Sequence, residues 1–258
     1  MNLVSAVVAA MNGTAYLALG ALSIWEVAHG RRRGGVAMFG LGFALMASSC
    51  GPHHLIHAHH LAAGGSASPL LLIAMVLALA PGLTFVYLRV MAMLGRSGDR
   101  FVRGTPSWII MAPLAFLLIS GLMVGLAMQA MPPLSTMSMT AVLPNLFVSI
   151  TYGMVGWPLV RTQIRRRAET GGWSVSGLAL SGIFPTCSLM HLLYAATAHA
   201  DVHSVVADLW GIPASVYFLW VVRSLHHDAI VDWNRRPAAG EPRHAPRPSP
   251  WARAVRSG

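Results

Sequence analysis

Two cysteines are each followed, four residues later, by a histidine. The pairs are Cys50 with His54 and Cys187 with His191, and the chain contains no other cysteine. Residues i and i+4 share one face of a helix, so each pair presents a sulfur and an imidazole to the same point. Such donors suit Cu(I) or Zn(II), and thiolates shielded from water favour Cu(I). The spacing predicts a metal site, while the competing interpretation is that cysteine packs between helices and histidine hydrogen-bonds across them.

The two motifs recur within similar surroundings. Tyr16 precedes Cys50 by 34 residues, Tyr152 precedes Cys187 by 35, and a run of three arginines lies inside each interval. Each cysteine lies 14 residues beyond the start of its predicted span, or about 21 Å along a helix. We therefore expect both sulfurs at one depth, on the outer side of the bilayer centre, in two parallel repeats related by an axis along the membrane normal. One site built from spans two and six follows from this arrangement.

Long apolar stretches must position these motifs. Crossing a bilayer takes about 20 apolar residues in a helix. The chain is 55% hydrophobic and 10% charged, whereas soluble domains carry about 25% charged residues. The sequence predicts an all-α, polytopic membrane protein with seven transmembrane helices, arranged as a 3+1+3 repeat, at Leu3–Trp25, Val36–Leu61, Pro69–Leu94, Trp108–Met131, Ala141–Val160, Trp173–Ala200 and Ser204–Ser224.

The positions of the basic residues predict the orientation. The chain has no lysine, and its 18 arginines lie mostly in clusters after spans one, three, five and seven. The positive-inside rule then places the N-terminus outside and the C-terminus in the cytoplasm. Because the arginines separate apolar runs, the net charge of +10 does not indicate a nucleic-acid partner. We expect an integral protein of a bacterial cytoplasmic membrane, with the lipid bilayer as its surroundings.

The expected organisation has four parts. A three-span repeat with the first motif covers 1–94, and a linking span with a methionine-containing outer loop covers 95–140. The second repeat covers 141–231, and a disordered cytoplasmic tail rich in proline and arginine covers 232–258. Two cysteines give no disulfide framework, no cleavable signal peptide is evident, and the tail is too short for an enzymatic output domain.

Further candidate ligands lie near the predicted outer ends of the spans. Three histidines in span two share a stripe with Cys50, and thioethers on the outer side favour Cu(I). These residues could capture a metal and feed the buried site, or they could be a polar helix end and gap-filling methionines. We expect Asp208 to pair with an outer histidine. The candidate capture residues are His53, His57, His60, His199, His203, Met137 and Met139, and the candidate pocket residues are Tyr16, Tyr152, Asn12 and Asn145.

The stretch Cys50-Gly-Pro-His-His54-Leu-Ile, together with Ala15-Tyr16 in span one, is similar to a known motif. Residues 12–94 resemble the copper-containing ethylene-binding domain of plant and cyanobacterial ethylene receptors, whose second span has a Cys-Gly-x-x-His-Leu-Ile core. The resemblance implies that Cys50 and His54 bind Cu(I), that ethylene binds the copper, and that Tyr16 lines the pocket.

Residues 141–224 resemble this domain more weakly, through Tyr152 and Cys187-Ser-Leu-Met-His191. They would be the counterpart of the first copy, so that one chain mimics the receptor dimer. The family's acidic residue in span one has no clear equivalent here, with Asn12 and Asn145 the nearest candidates. The receptors' kinase-type output domain is also absent from this sequence.

Three classes of function remain open at this point. The first is a Cu(I) protein that senses or handles copper, or a small olefin or gas bound to it, with a cytoplasmic signalling partner. The second is a copper transporter or a protein that delivers copper to a cuproenzyme. The third and less favoured class is an iron or haem oxidoreductase, because the His57-x-His59-His60 cluster lies on the outer side and lacks the His-x-x-His-His spacing of di-iron membrane enzymes. Zinc, iron and haem are accordingly less favoured than copper.

Overall fold

The protein is a bundle of seven helices in the part of the chain that the computed structural model describes. That part comprises residues 2–31, 38–66, 68–131, 133, 137–197 and 205–224, and 87% of it is helical. The prediction of an all-α protein is confirmed, apart from one short ribbon. The helices are α1 (Asn2–Arg31), α2 (Met38–Ala62), α3 (Pro69–Met93), α4 (Ser107–Gln129), α5 (Met139–Thr170), α6 (Val175–Thr197) and α7 (Val205–Ser224).

Six of these helices are long and apolar enough to cross a membrane. Large apolar side chains are also exposed on the outside of the bundle, including Leu118 at 75% and Leu3 at 74%. In water such a surface would be unfavourable, whereas lipid tails accommodate it. The helix that is not among the six is α2, whose second half carries five histidines. The chain is therefore an integral membrane protein with six candidate spans.

Three helix boundaries differ clearly from the predicted ones. The first helix does not end at Trp25 but continues to Arg31. The fifth helix does not end at Val160 but continues to Thr170, because its arginines are good helix formers once the chain leaves the apolar layer. It ends at Gly171, whose φ of 69° closes the helix in the left-handed conformation that favours glycine. Trp173, predicted as the start of span six, lies instead in a short strand.

The ribbon joins two connections at one end of the bundle. Strand β1 (Phe101–Arg103), between α3 and α4, pairs antiparallel with β2 (Gly172–Ser174), between α5 and α6. Below it, the buried guanidinium of Arg166 lies 3.5 Å from the Asp99 carboxylate and over the ring of Phe101. The connections after α3 and α5 therefore lie on the same side.

The helices pack in matching pairs. The most extensive contacts join α1 with α2 and α5 with α6, and each third helix also packs across the bundle, α3 against α6 and α7 against α2. Within each half, the first helix also contacts the third, α1 with α3 and α5 with α7. Aromatic rings of Phe43, Phe85, Phe184 and Phe218 fill the centre. By contrast, α4 lies at the edge of the bundle. Its main helix contact is with α6, and most of its residues are exposed.

Candidate metal centre

The two cysteines lie in the core, and each is bonded to a tyrosine from the other half of the chain. The hydroxyl of Tyr16 on α1 lies 2.8 Å from the Cys187 sulfur on α6. The hydroxyl of Tyr152 on α5 lies 3.2 Å from the Cys50 sulfur on α2. Both thiols are almost fully buried, at 2% and 1% exposure. The sulfurs therefore face the interior and each other's half of the bundle, not lipid.

The same tyrosines link each cysteine to the histidine of the other motif. The ring of Tyr152 lies 5.9 Å from that of His191 while its hydroxyl contacts Cys50. The ring of Tyr16 stacks on His54 while its hydroxyl contacts Cys187. In sequence, Cys50 and Cys187 lie far apart, on α2 and α6, whose backbones make few direct contacts. The two tyrosine side chains bridge this gap and place the donors of both motifs around one part of the core.

The imidazole of His191 belongs to a buried polar chain. Its Nδ1 lies 2.7 Å from Oδ1 of Asn145 on α5. The amide nitrogen of Asn145 donates to Oδ2 of Asp208 on α7 at 2.8 Å and to the Ala141 carbonyl at 3.0 Å. The other carboxylate oxygen, Oδ1 of Asp208, lies 2.6 Å from Nδ1 of His53. The expected pairing of Asp208 with an outer histidine is confirmed, and its partner is His53.

The imidazole of His54 has different surroundings. Its ring stacks on that of Tyr16, with centroids 5.7 Å apart. The ring is buried, and its Nδ1 has no hydrogen-bond partner among the described residues. Asn12, the nearest asparagine in this half of the chain, donates instead to main-chain carbonyls of Val8 and Met75. Among the described residues, His54 therefore has no amide–carboxylate chain like the one that holds His191.

The predicted outer capture residues are only partly brought together. His53 and His57 are buried and flank the ring of Tyr194 at 4.7 and 5.3 Å between centroids, whereas His60 is exposed. Met137 is buried and Met139, at the first turn of α5, is exposed. His199 and His203 lie outside the described residues.

Within the described ranges, no three His, Cys, Asp or Glu side chains form a ready-made metal-holding group. Each sulfur instead contacts a tyrosine hydroxyl, and the rings of these tyrosines lie against the two histidines of the motifs. Comparison with models of known protein families, with curated proteins and with solved structures found no match.

Sequence reasoning missed two features of the centre. The first is the crosswise pairing of tyrosines and cysteines, which depends on which helices become neighbours. The second is Tyr194, whose buried hydroxyl has no hydrogen-bond partner among the described residues and whose ring packs on His53 and His57. Tyr194 follows Cys187 by seven residues and His191 by three, so helical spacing could have placed it on the motif's face.

Proposed function

We propose that this chain is an integral membrane copper(I)-binding protein, with a buried site built between spans two and six. The candidate ligands are Cys50, Cys187, His191 and His54. The observation that carries the proposal is the crosswise arrangement of the two motifs in the core, where each buried thiol contacts a tyrosine whose ring lies against the histidine of the other motif. Two sulfurs and an imidazole, shielded from water, are donors that favour Cu(I).

Binding of copper would require a local rearrangement around the sulfurs. The hydroxyls of Tyr16 and Tyr152 now contact the two thiols, and a metal bound to thiolates would replace these hydrogen bonds. Each such bond contributes only about 0.5–1.5 kcal/mol, whereas structural metal sites bind with apparent free energies of roughly 10–16 kcal/mol. The tyrosines are therefore compatible with metal binding and would line the pocket beside the copper.

We further propose seven spans in two parallel repeats, with the N-terminus outside and the C-terminus in the cytoplasm of a bacterial cell. Matching contacts of α1 with α2 and α5 with α6, and of α3 with α6 and α7 with α2, support the repeat. The β1–β2 ribbon supports the orientation, because it holds the arginine-containing connection after α3 beside the arginine-rich end of α5. With 25 residues, α2 is long enough to span, and its histidines are buried within the bundle or near its end.

The physiological role proposed is sensing or handling of copper, or of a small copper-bound ligand such as ethylene. The proposal that ethylene is the ligand rests on the resemblance of residues 12–94 to ethylene-binding domains, and not on the geometry of the site. For the sensing role, the proposed partner is a cytoplasmic signalling protein.

The test measures bound metal in the purified, full-length protein. We expect about one copper per chain in wild type and essentially none in Cys50→Ser or Cys187→Ser, because both sulfurs would bind one ion. Ser48→Ala is the matched control, since the Ser48 hydroxyl lies near the first motif but bonds a main-chain carbonyl and the Trp210 indole.

Two coppers, each lost with one cysteine, would mean two independent sites, and zinc, iron or haem in place of copper would overturn the proposal. Binding of labelled ethylene to copper-loaded protein then separates a role in olefin sensing from copper delivery.

A further inference from the structure

We infer that Asn145 and Asp208 are positioning residues that hold His191 in the one tautomer able to bind a metal through Nε2. This inference deepens the proposed copper function and assigns unequal roles to the two histidines of the repeated motif. His191 is the preoriented ligand, and His54 is a secondary one.

Asp208 sets the direction of the amide. Oδ2 of its carboxylate and the main-chain oxygen of Ala141 both accept from the same Asn145 group, at 2.8 and 3.0 Å. Carboxylate and carbonyl oxygens cannot donate, so that group must be the amide NH2. The oxygen of Asn145 must then face the other way, toward His191.

The amide in turn sets the proton on His191. Because Oδ1 of Asn145 can only accept, Nδ1 of His191, 2.7 Å away, must carry the hydrogen. In the neutral ring the lone pair is then on Nε2, and the His191 ring lies 5.9 Å from that of Tyr152, whose hydroxyl contacts Cys50. Metal-binding histidines are commonly held this way, with the remaining N–H donated to a carboxylate, carbonyl or water.

Burial makes this chain a strong constraint. Asp208 is 1% exposed and Asn145 is 4% exposed, so water does not compete for their hydrogen bonds. His53 donates to the second oxygen of Asp208 at 2.6 Å, which fixes the carboxylate from the other side. Flipping the Asn145 amide would point its oxygen at two acceptors. It would also break the two buried hydrogen bonds that the NH2 group donates to Asp208 and Ala141.

The first motif offers a natural contrast. Nδ1 of His54 has no hydrogen-bond partner among the described residues. The amide of Asn12 donates its hydrogens to the main-chain carbonyls of Val8 and Met75. Stacking on Tyr16 holds the plane of the His54 ring but does not select a tautomer. The position of a proton, and not the presence of an imidazole, therefore distinguishes the two motifs.

The experiment reads the tautomer directly, by nitrogen NMR of 15N-histidine-labelled, full-length protein treated with a copper(I) chelator. The His191 signals are assigned by their loss in His191→Gln. We expect His191 in the Nδ1–H form in wild type, and loss of that preference in Asn145→Leu. Asn12→Leu is the matched control, because it removes a buried asparagine that bonds main-chain carbonyls, and it should leave the His191 tautomer unchanged.

Copper affinity supplies the second readout. Asn145→Leu should weaken copper(I) binding by about 10–100-fold, the usual effect of removing a group that orients a metal ligand. Asn12→Leu should change it by less than about threefold, and His191→Ala should weaken binding more than His54→Ala. Equal effects of the two histidine variants, or of the two asparagine variants, would overturn the inference.

Failure of the inference and failure of the copper proposal give different results. A wild-type His191 in the Nε2–H form overturns the inference whether or not copper binds, and the variant His191→Gln serves only to assign the wild-type signals. The expected tautomer in a protein that binds no copper supports the hydrogen-bond chain and overturns the proposed function.

Discussion

In the first half of the bundle, Asn12 of α1 donates to a main-chain carbonyl of α3, whereas in the second half Asn145 of α5 donates to a carboxylate of α7. Either partner satisfies a buried amide, so the packing of first against third helix is possible in both halves. Only the second arrangement leads on to a histidine. A bundle can thus keep two similar halves while giving one of them a specialised polar network.

The halves are more alike at the sulfurs. Each tyrosine contacts the histidine of its own half and the cysteine of the other: Tyr16 with His54 and Cys187, and Tyr152 with His191 and Cys50. Because every such contact has a counterpart, a change at this level should have similar effects in both halves. Changes around Asp208 should not.

The largest difference in stability is expected at Asp208. Asp208→Leu leaves the donors of His53 and Asn145 buried without their carboxylate, which should lower the free energy of unfolding by about 3–5 kcal/mol. Met75→Leu, at the α3 residue whose carbonyl accepts from Asn12, should cost less than about 1.5 kcal/mol. Reversible unfolding in mixed detergent micelles measures both values.

A double variant sharpens this prediction. His53→Phe combined with Asp208→Leu removes both members of the buried pair and should recover part of the loss, because replacing both partners costs less than orphaning one. An Asp208→Leu protein as stable as Met75→Leu would contradict the proposed difference between the halves.

A smaller difference is expected where a glycine of α1 or of α5 packs against the paired helix. A methyl group at Gly13 would lie 2.8 Å from Leu55 and 3.0 Å from the Gly51 carbonyl oxygen, whereas one at Gly156 would lie 3.3 Å from Pro185. Both substitutions gain about 1 kcal/mol in helix propensity. Overpacking should therefore make Gly13→Ala less stable than Gly156→Ala by about 1–3 kcal/mol. Equal unfolding free energies would mean that α1 and α2 separate without cost.

The smallest effects are expected at the tyrosine hydroxyls. Tyr16→Phe and Tyr152→Phe each remove one buried hydrogen bond to a thiol and should each lower the unfolding free energy by about 0.5–1.5 kcal/mol. The two losses should agree within about 0.5 kcal/mol, since the contacts correspond. Losses that differ by more than about 1 kcal/mol, in the same micelle assay, would break the equivalence of the two halves at the sulfurs.

The helices, and the donors that share a face within each helix, can be predicted from the sequence alone. Apolar length predicts spans without reference to neighbours, and four-residue spacing aligns Cys50 with His54 and Cys187 with His191 on their own helices. The extent of α5 was underestimated, because hydropathy reports where a helix leaves the apolar layer and not where its backbone hydrogen bonding ends. The Gly171 cap decides the latter.

Only the tertiary structure decided which donors meet. Tyr16 and Cys187 are 171 residues apart and Asn145 and Asp208 are 63 apart, and helical periodicity carries no information between separate helices. Their contacts depend on how α3 and α7 pack across the bundle, which is the joint result of many side chains filling one core. The tautomer inferred for His191 is therefore a property of the assembled fold, because its determinants lie on three different helices.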